Sequence, residues 1–177
     1  NLQENIMKSN YEYYILRLAD AFYCAYPNPP YSEILNKKQR AYSCLLLLPQ
    51  PQYYICIPYR TEISHPYAFH FQKSKRSRSH RSGLDYTKLV IIQNLDYLEK
   101  KQAVIDHDEY VETINNIDKI VRDAVRFIDE YCGYITGKNC LHKSEYERRY
   151  QFSPLKYFHQ ELGIQNPVRV DAPPNLY

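Results

Sequence analysis

The sequence predicts an α+β domain in which strands gather in the middle of the chain and helices pack on them. Two observations lead to this prediction. Short apolar or alternating segments fill residues 41–93, whereas apolar residues recur every three or four positions between residues 109 and 131. The length of 177 residues suits one compact domain with a core. We therefore expect a single domain over residues 1–177.

The first part of the chain is expected to hold a short leader, residues 1–6, and then a helix. Ile15, Leu18 and Phe22 recur at helical spacing and predict a helix over residues 14–26. Pro27 and the prolines at positions 29 and 30 end it, because proline cannot continue a helix.

The middle of the chain predicts at least four strands. Residues 41–48 and 53–58 are apolar and are joined by a proline-containing turn, residues 49–52, which indicates a hairpin. Residues 67–71 alternate in character and predict a strand with one packed face. Residues 88–93 are apolar on both faces, so we expect a central strand there.

Residues 73–82 predict a basic loop that contacts RNA phosphates. The net charge of the chain is only +3, so the distribution of charge says more than its total. This segment alternates cations with serines and contains no acid, and such a cationic stretch attracts phosphate groups. Its five Lys and Arg residues are Lys73, Lys75, Arg76, Arg78 and Arg81.

The second half of the chain predicts helices. Residues 96–104 indicate a short helix, and the spacing of apolar residues predicts one long amphipathic helix over residues 109–131. A further short helix over residues 155–162 is expected to close at Gly163, and an extended tail, residues 164–177, follows.

Composition restricts the compartment and the cofactors. The five cysteines show no CxxC spacing, and the longest apolar run, residues 44–48, is too short to cross a bilayer. We expect a cytoplasmic protein with no membrane partner, no cofactor and no metal. Asp106 and Asp108, which flank His107, are interpreted as acids at a helix start rather than as metal ligands.

Residues 57–65 carry the candidate catalytic groups. A strand ends near Pro58 and is followed closely by Arg60, Thr61, Ser64 and His65. RNA cleavage without a metal needs a group that accepts or orients the 2′-hydroxyl proton, cations that stabilise the phosphorane, and a donor for the leaving 5′-oxygen. A guanidinium, two hydroxyls and an imidazole suit these roles. The 20 tyrosines offer flat faces on which unpaired bases can stack.

These segments, in their order, resemble the ToxN/AbiQ family of type III toxin–antitoxin endoribonucleases, and most closely its CptN and TenpN branches. The resemblance covers roughly residues 16–163. It is carried by the motifs Arg40-Ala41-Tyr42, Ile57-Pro58-Tyr59-Arg60-Thr61, Ser64-His65-Pro66-Tyr67-Ala68-Phe69, Gly83-Leu84-Asp85-Tyr86-Thr87-Lys88 and Ser153-Pro154-Leu155-Lys156-Tyr157-Phe158-His159.

The resemblance implies a strongly bent antiparallel sheet, or partial barrel, with surrounding helices, like that of the MazF and Kid toxins. It implies a metal-independent, sequence-specific endoribonuclease that processes a repeated antitoxin RNA and stays bound to the resulting RNA pseudoknot in a closed protein–RNA hetero-oligomer. Free toxin would cut cellular RNA, arrest growth and abort phage infection. No DNA partner is implied.

The family's site residues are transferred position by position. Arg40 matches the family's basic residue at the start of a strand. Thr61 matches its hydroxyl residue after the proline, although the family usually has serine there. The lysine of the ToxN branch has no counterpart, so Arg60 and His65 are expected to fill its role. Lys88 matches the basic residue after the glycine turn.

The sequence thus predicts four catalytic residues and a wider RNA-binding surface. The catalytic residues are Thr61, His65, Arg60 and Arg40. The RNA-binding residues, besides the five cations of the basic loop, are Ser64, Tyr59, Tyr31 and Lys88. Two alternatives remain at this point: a non-catalytic RNA-binding module, and a protein-interaction domain in which the helix over residues 109–131 docks a partner.

Overall fold

The chain forms an α+β domain with a six-stranded antiparallel sheet and four α-helices in the residues described. A computed structural model gives the structure of residues 11–48 and 53–169. The strands are β1 (Tyr11–Arg17), β2 (Ala41–Leu47), β3 (Tyr54–Arg60), β4 (Ala68–His70), β5 (Gly83–Asp85) and β6 (Val90–Ile92). The helices are α1 (Asp20–Ala25), α2 (His107–Asn115), α3 (Ile117–Ile135) and α4 (Lys143–Tyr150).

Strand β3 organises the sheet. One of its sides pairs with β2, and its other side pairs first with β6 and then, at Tyr59 and Arg60, with β5. The strand order is β1-β2-β3-β5-β4, with β6 beside β3. No pairing joins β1 to β4 within residues 11–48 and 53–169, so the sheet is open rather than a closed barrel.

Helix α3 supplies much of the core that covers the sheet. Its apolar side chains fall at helical spacing and share one buried cluster with the strands. They are Ile120, Val121, Ala124, Val125, Phe127, Ile128, Tyr131 and Ile135. No helix in residues 11–48 and 53–169 has the length and apolar character needed to span a membrane.

The predicted hairpin, the strand over residues 67–71 and the apolar strand near residue 90 are confirmed as β2, β3, β4 and β6. The hairpin's turn, residues 49–52, lies outside the described residues, as do residues 1–10 and 170–177. The prediction that β6 is central was wrong. In the described residues β6 pairs only with β3, and it is buried because other elements, including a 3-10 turn at Pro154–Tyr157, pack over it.

The helix predicted over residues 14–26 is largely a strand. Residues 11–17 form β1 and pair with seven residues of β2, and only Asp20–Ala25 are helical. Ile15 and Leu18 fit a helical stripe, but they are also buried in the extended chain. Tyrosine and isoleucine favour a strand when a partner strand lies beside them, and that long-range pairing decided the outcome.

Residues 96–104 also differ from the predicted helix, since only a 3-10 turn, Leu95–Tyr97, forms there. The segment after this turn runs along the free edge of β1. Leu98 bridges Leu18, and the Glu99 and Ala103 amides donate to the Arg17 and Ile15 carbonyls. Satisfying an exposed strand edge thus took precedence over local helix formation.

The long helix predicted over residues 109–131 is two helices, α2 and α3, that meet at Asn116. The Asn116 side chain donates to the Glu112 carbonyl at 2.8 Å, and its backbone departs from helical angles. Asparagine competes in this way with the helical backbone, so the helix breaks there.

Near the C-terminus, residues 155–162 form a 3-10 turn and further turns rather than the predicted helix, although Gly163 does end the segment with a positive φ. Helix α4 was not predicted, because only Tyr146 and Tyr150 of its eight residues are buried. Its charged residues pair with each other at helical spacing instead, as Glu145 does with Arg149.

Gly83 allows β4 and β5 to approach each other. A Cβ atom at this position would lie 2.1 Å from the Phe69 carbonyl oxygen, which belongs to the neighbouring strand. We therefore predict that Gly83→Ala lowers the free energy of unfolding by about 1–3 kcal/mol, as overpacking of a rigid interior does. Urea denaturation measures this. Gly163→Ala is the comparison for backbone strain without crowding, since nothing lies within 4 Å of its Cβ but its φ of +71° disfavours alanine by about 1–2 kcal/mol. A loss in Gly83→Ala smaller than that in Gly163→Ala would contradict the steric explanation.

Candidate active site

Asp85 is the centre of the most connected polar cluster at the end of the sheet. It is the last residue of β5, and its side chain is 0% exposed. Its Oδ1 accepts the Thr87 backbone N–H at 2.9 Å and the Thr87 hydroxyl at 2.6 Å, while its Oδ2 pairs with the Arg60 guanidinium. A buried carboxylate needs such partners to remain charged, and β3 supplies the arginine because Arg60 lies opposite Gly83 in the sheet.

His65 belongs to the same cluster. Its Nε2 lies 3.3 Å from Asp85 Oδ1 and 3.4 Å from the Thr87 hydroxyl, and the side chain remains 29% exposed. The ring stacks on Tyr67 at a centroid distance of 6.1 Å, and His70 Nε2 contacts the His65 carbonyl oxygen at 2.9 Å. These contacts hold the imidazole against the buried carboxylate.

The other ring nitrogen, His65 Nδ1, has no hydrogen-bond partner in the described part of the chain. With Nε2 directed at Asp85, Nδ1 is the nitrogen left to exchange a proton with another molecule. In this structure it is covered by neighbouring atoms.

Opposing effects set the ionisation of Asp85. Burial by itself would raise its pKa, but hydrogen bonds from His65 and Thr87, together with the charges of His65 and Arg60, outweigh burial and leave the pKa below its ordinary value. Asp85 is therefore an anion at neutral pH, and it can orient His65 and hold Arg60 at the same time.

This lowered pKa predicts a contribution to stability that depends on pH. A carboxyl with a depressed pKa in the folded state stabilises the fold above the ordinary value of about 3.9, and the contribution is lost as pH falls through the lower folded value. We expect the stability difference between the wild type and Asp85→Asn to be full at pH 6 and to shrink below about pH 4. Urea titrations at several pH values test this, and a difference that does not change with pH would contradict it.

Arg40 lies beside this cluster. Its Nη1 donates to the Tyr59 carbonyl at 2.7 Å, while its Nε is buried and has no partner among the described residues. Burial lowers the pKa of Arg40, and the nearby positive charge of Arg60 lowers it further. Arginine nevertheless remains protonated in proteins, so two guanidinium groups lie close together and favour an anion between or above them.

A groove of about 320 Å³ joins the two arginines to other predicted residues. Arg40, Arg60 and Thr61 line it, together with Arg76 from the basic loop and Glu109 from α2. We call this the arginine groove. The Thr61 side chain is exposed here, where a bound molecule can contact its hydroxyl.

The structure thus brings the four predicted catalytic residues into one region but in two parts. Arg40, Arg60 and Thr61 share the arginine groove, whereas His65 is connected to it through Asp85 and Arg60. Arg60 belongs to both parts, because its side chain lines the groove and its guanidinium contacts Asp85.

The basic loop, residues 73–82, is anchored to α2 rather than free of it. The Lys75 amide donates to Asp108 at 2.7 Å, and the Lys73 amide donates to Glu112 at 3.0 Å. Arg76 begins a 3-10 turn and pairs with Asp106 at 2.7 Å. Four of its cations have no ion pair with any described residue: Lys73, Lys75, Arg78 and Arg81. Asp106 and Asp108, predicted from the sequence only as acids at a helix start, therefore hold this loop.

The remaining predicted RNA-binding residues differ in their surroundings. Ser64 is exposed beside His65. Tyr59 lines the arginine groove but is only 8% exposed and shares a hydrogen bond with the Thr113 hydroxyl, so most of its ring belongs to the core and little of it can stack on a base; RNA binding by Tyr59 stays a prediction. Its ring is buried because α2 packs against β3 at this position.

Tyr31 and Lys88 make contacts within the protein. Tyr31 packs edge-on against Tyr26 and Tyr157, with ring centroids 5.1 and 4.8 Å away. Lys88 Nζ donates to the Phe152 carbonyl at 2.5 Å and to the Glu33 carbonyl at 3.2 Å. Burial lowers the pKa of Lys88. Lys88 therefore joins separate segments of the fold at this end of the sheet.

Sequence reasoning missed Asp85, Thr87 and Glu109. For the first two a signal was present: an acid and a hydroxyl residue, two positions apart, directly precede an apolar strand. A charged residue in such a place must find partners, and Asp–x–Thr favours a local turn in which the carboxylate accepts the second residue's N–H. Glu109 gave no signal, because it resembles any other acid in the first turn of a helix.

Comparison of the chain with models of protein families, with curated proteins and with solved structures found no match. In the described residues, no three His, Cys, Asp or Glu side chains are grouped in a way that could hold a metal ion. The site is therefore interpreted from its own geometry and charge.

Proposed function

We propose that this protein is an endoribonuclease in which the 2′-hydroxyl of RNA attacks the adjacent phosphate, leaving a 2′,3′-cyclic phosphate and a 5′-hydroxyl. One observation carries the proposal: two adjacent guanidinium groups, Arg40 and Arg60, lie next to an imidazole that is held by a buried carboxylate. A pentacoordinate phosphorane gains negative charge, which fixed cations in a partly buried site stabilise.

The proposed roles follow from position. Arg40 and Arg60 bind the scissile phosphate, and Thr61 orients the attacking group from the exposed wall of the arginine groove. His65 donates a proton to the leaving 5′-oxygen, since histidine is the side chain that ordinarily exchanges protons near neutral pH. Asp85 is a positioning residue that fixes the imidazole and the Arg60 guanidinium.

The basic loop favours RNA over a small phosphate ester as the substrate. Its cations Lys73, Lys75, Arg78 and Arg81 extend the positive charge well beyond the groove, and a polyanionic chain would contact them in succession. The resemblance in sequence to the ToxN/AbiQ family supports the finer proposal that the protein is the toxin of a type III toxin–antitoxin system. Its antitoxin would then be a repeated RNA pseudoknot that the toxin itself trims and binds in a closed hetero-oligomer.

The test is strand scission by the purified protein with analysis of the product ends. We expect a 2′,3′-cyclic phosphate and a 5′-hydroxyl, formed equally well in EDTA because side chains fill every proposed role. A substrate with a 2′-deoxy nucleotide at the cleaved position should bind and remain intact. Salt-dependent RNA binding without scission would support the non-catalytic RNA-binding module instead, and a requirement for a divalent ion would contradict the proposed mechanism.

A further inference from the structure

Glu109 is a buried carboxylate at the arginine groove that the roles assigned so far do not use. It lies in the first turn of α2 and is 2% exposed, yet it contributes to the lining of the groove. Its Oε1 is buried and accepts no hydrogen bond from any described residue. Its Oε2 lies 3.9 Å from the Arg76 guanidinium, whose stronger partner is Asp106 at 2.7 Å.

Such a carboxylate is costly for the fold, because a buried charge needs hydrogen bonds that Oε1 does not receive. Burial raises the pKa of Glu109, and the charge of Arg76 and the nearby Ser82 hydroxyl offset this only in part. A carboxyl in these surroundings can take up a proton nearer to neutral pH than an exposed one. Groups of this kind are common where proton transfer occurs.

We propose that Glu109 is the second acid–base group of this centre and that it accepts the proton of the attacking 2′-hydroxyl. This inference rests on the ribonuclease function proposed above. His65 supplies one proton and Glu109 removes another. Arg60 lies between the two groups, because it pairs with Asp85 beside His65 and also lines the arginine groove with Glu109. Arg76 is 3.9 Å from Oε2 and leaves Oε1, the proposed proton acceptor, without an ion-pair partner.

The 2′-hydroxyl proton passes to Glu109 Oε1 as the 2′-oxygen forms a bond to phosphorus. The bond between phosphorus and the 5′-oxygen breaks, its electron pair stays on that oxygen, and the oxygen takes the proton of His65. The products are a 2′,3′-cyclic phosphate and a 5′-hydroxyl, and both side chains then regain their starting protonation by exchange with water.

The decisive variant is Glu109→Gln, which keeps the shape of the side chain and removes its ability to take a proton. We expect the single-turnover rate of RNA cleavage to fall on the order of 10²-fold, with RNA affinity unchanged. The acid limb of the pH–rate profile is the fall in rate at low pH that protonation of a general base causes, and it should be lost in this variant as well. The charged or titratable groups that face Glu109 from neighbouring elements are Arg76, Asp106, Asp108 and Tyr59. Because their ionisation also affects the pH–rate profile, the profile is compared with that of a matched variant.

The matched control is Glu112→Gln on the same helix. Glu112 is also buried, but both of its carboxylate oxygens accept backbone N–H groups, from Gln72 and Lys73, so its role is to anchor the basic loop. This variant should lose stability and keep the acid limb. Glu109→Gln should fold at least as stably as the wild type, because it removes a buried charge. Glu109→Asp should keep the limb at a reduced rate.

The outcomes separate the two proposals. If the wild type does not cleave RNA, the proposed function fails and the role of Glu109 fails with it. If the wild type cleaves RNA and Glu109→Gln cleaves it at the same rate with the same pH profile, only the role of Glu109 is overturned. A slow Glu109→Gln variant that retains the acid limb also overturns it, because that result assigns a purely structural role.

Discussion

His65→Gln is expected to reduce the single-turnover rate of RNA cleavage by about 10²–10⁴-fold, the range typical for loss of a general acid or base. Glutamine can still donate a hydrogen bond towards Asp85, so the ring's structural contact is largely retained, but it cannot release a proton at neutral pH. The side chain is 29% exposed and is not part of the apolar core. We therefore expect the fold to tolerate the change.

The control for this variant is His107→Gln. His107 is an exposed histidine at the first residue of α2, and its side chain has no hydrogen bond to other described residues. Cleavage should continue at the wild-type rate in this variant, and both variants should melt close to the wild type. A His65→Gln protein that cleaves RNA within about threefold of the wild-type rate would exclude His65 from the chemistry, since general acid–base groups contribute far more than that.

Asp85→Asn is expected to affect both stability and activity. Breaking a fully buried ion pair by removing one partner costs about 3–5 kcal/mol. Here we expect on the order of 2–4 kcal/mol, because the Arg60 and His65 side chains keep 27% and 29% exposure to water. The cleavage rate should fall by about 10²-fold or more, because an amide does not hold the imidazole and the guanidinium in the same way. Urea denaturation and single-turnover cleavage measure the two effects.

A double variant separates a positioning role of Asp85 from a general loss of structure. If Asp85 acts mainly through His65, adding Asp85→Asn to His65→Gln should reduce the rate much less than it does in the wild type, since residues that act as a unit are not additive. The loss of stability should persist in the double variant. Fully multiplicative rate losses would show that Asp85 does not act through His65.

Strand ends were the part of the site that the sequence could predict. The hairpin of β2 and β3 has a strong apolar pattern, so the residues flanking it, Arg40 and Arg60, had to lie near each other at one end of the sheet. Thr61 then follows directly. The pairing of β2 and β3, which the sequence predicts well, therefore places three of the four predicted catalytic residues around one groove.

Long-range pairing decided what the sequence could not predict. Asp85 reaches Arg60 and His65 only because β5, a strand of three residues with no alternation of its own, adds to the end of β3. Tyr59 is predicted to bind RNA, but its contact with Thr113 of α2 leaves it only 8% exposed. In both cases the outcome depends on which elements meet in the folded chain, and local composition does not carry that information.

The arrangement also explains why a modest net charge of +3 is compatible with RNA as a partner. Asp106, Asp108 and Glu112 of the α2 region hold the backbone and one arginine of the basic loop, while its other Lys and Arg side chains form no ion pair with an acid among the described residues. Acidic residues therefore shape the cationic surface instead of cancelling it.

The most direct test of the proposed active site uses RNA with sulfur in place of the bridging 5′-oxygen at the cleaved position. A thiolate leaves without being protonated, so this substrate does not need a general acid. We predict that His65→Gln cleaves the sulfur substrate at nearly the wild-type rate while it remains slowed by about 10²–10⁴-fold on ordinary RNA. An equal loss of rate on both substrates would contradict the assignment of His65 as the group that protonates the leaving oxygen.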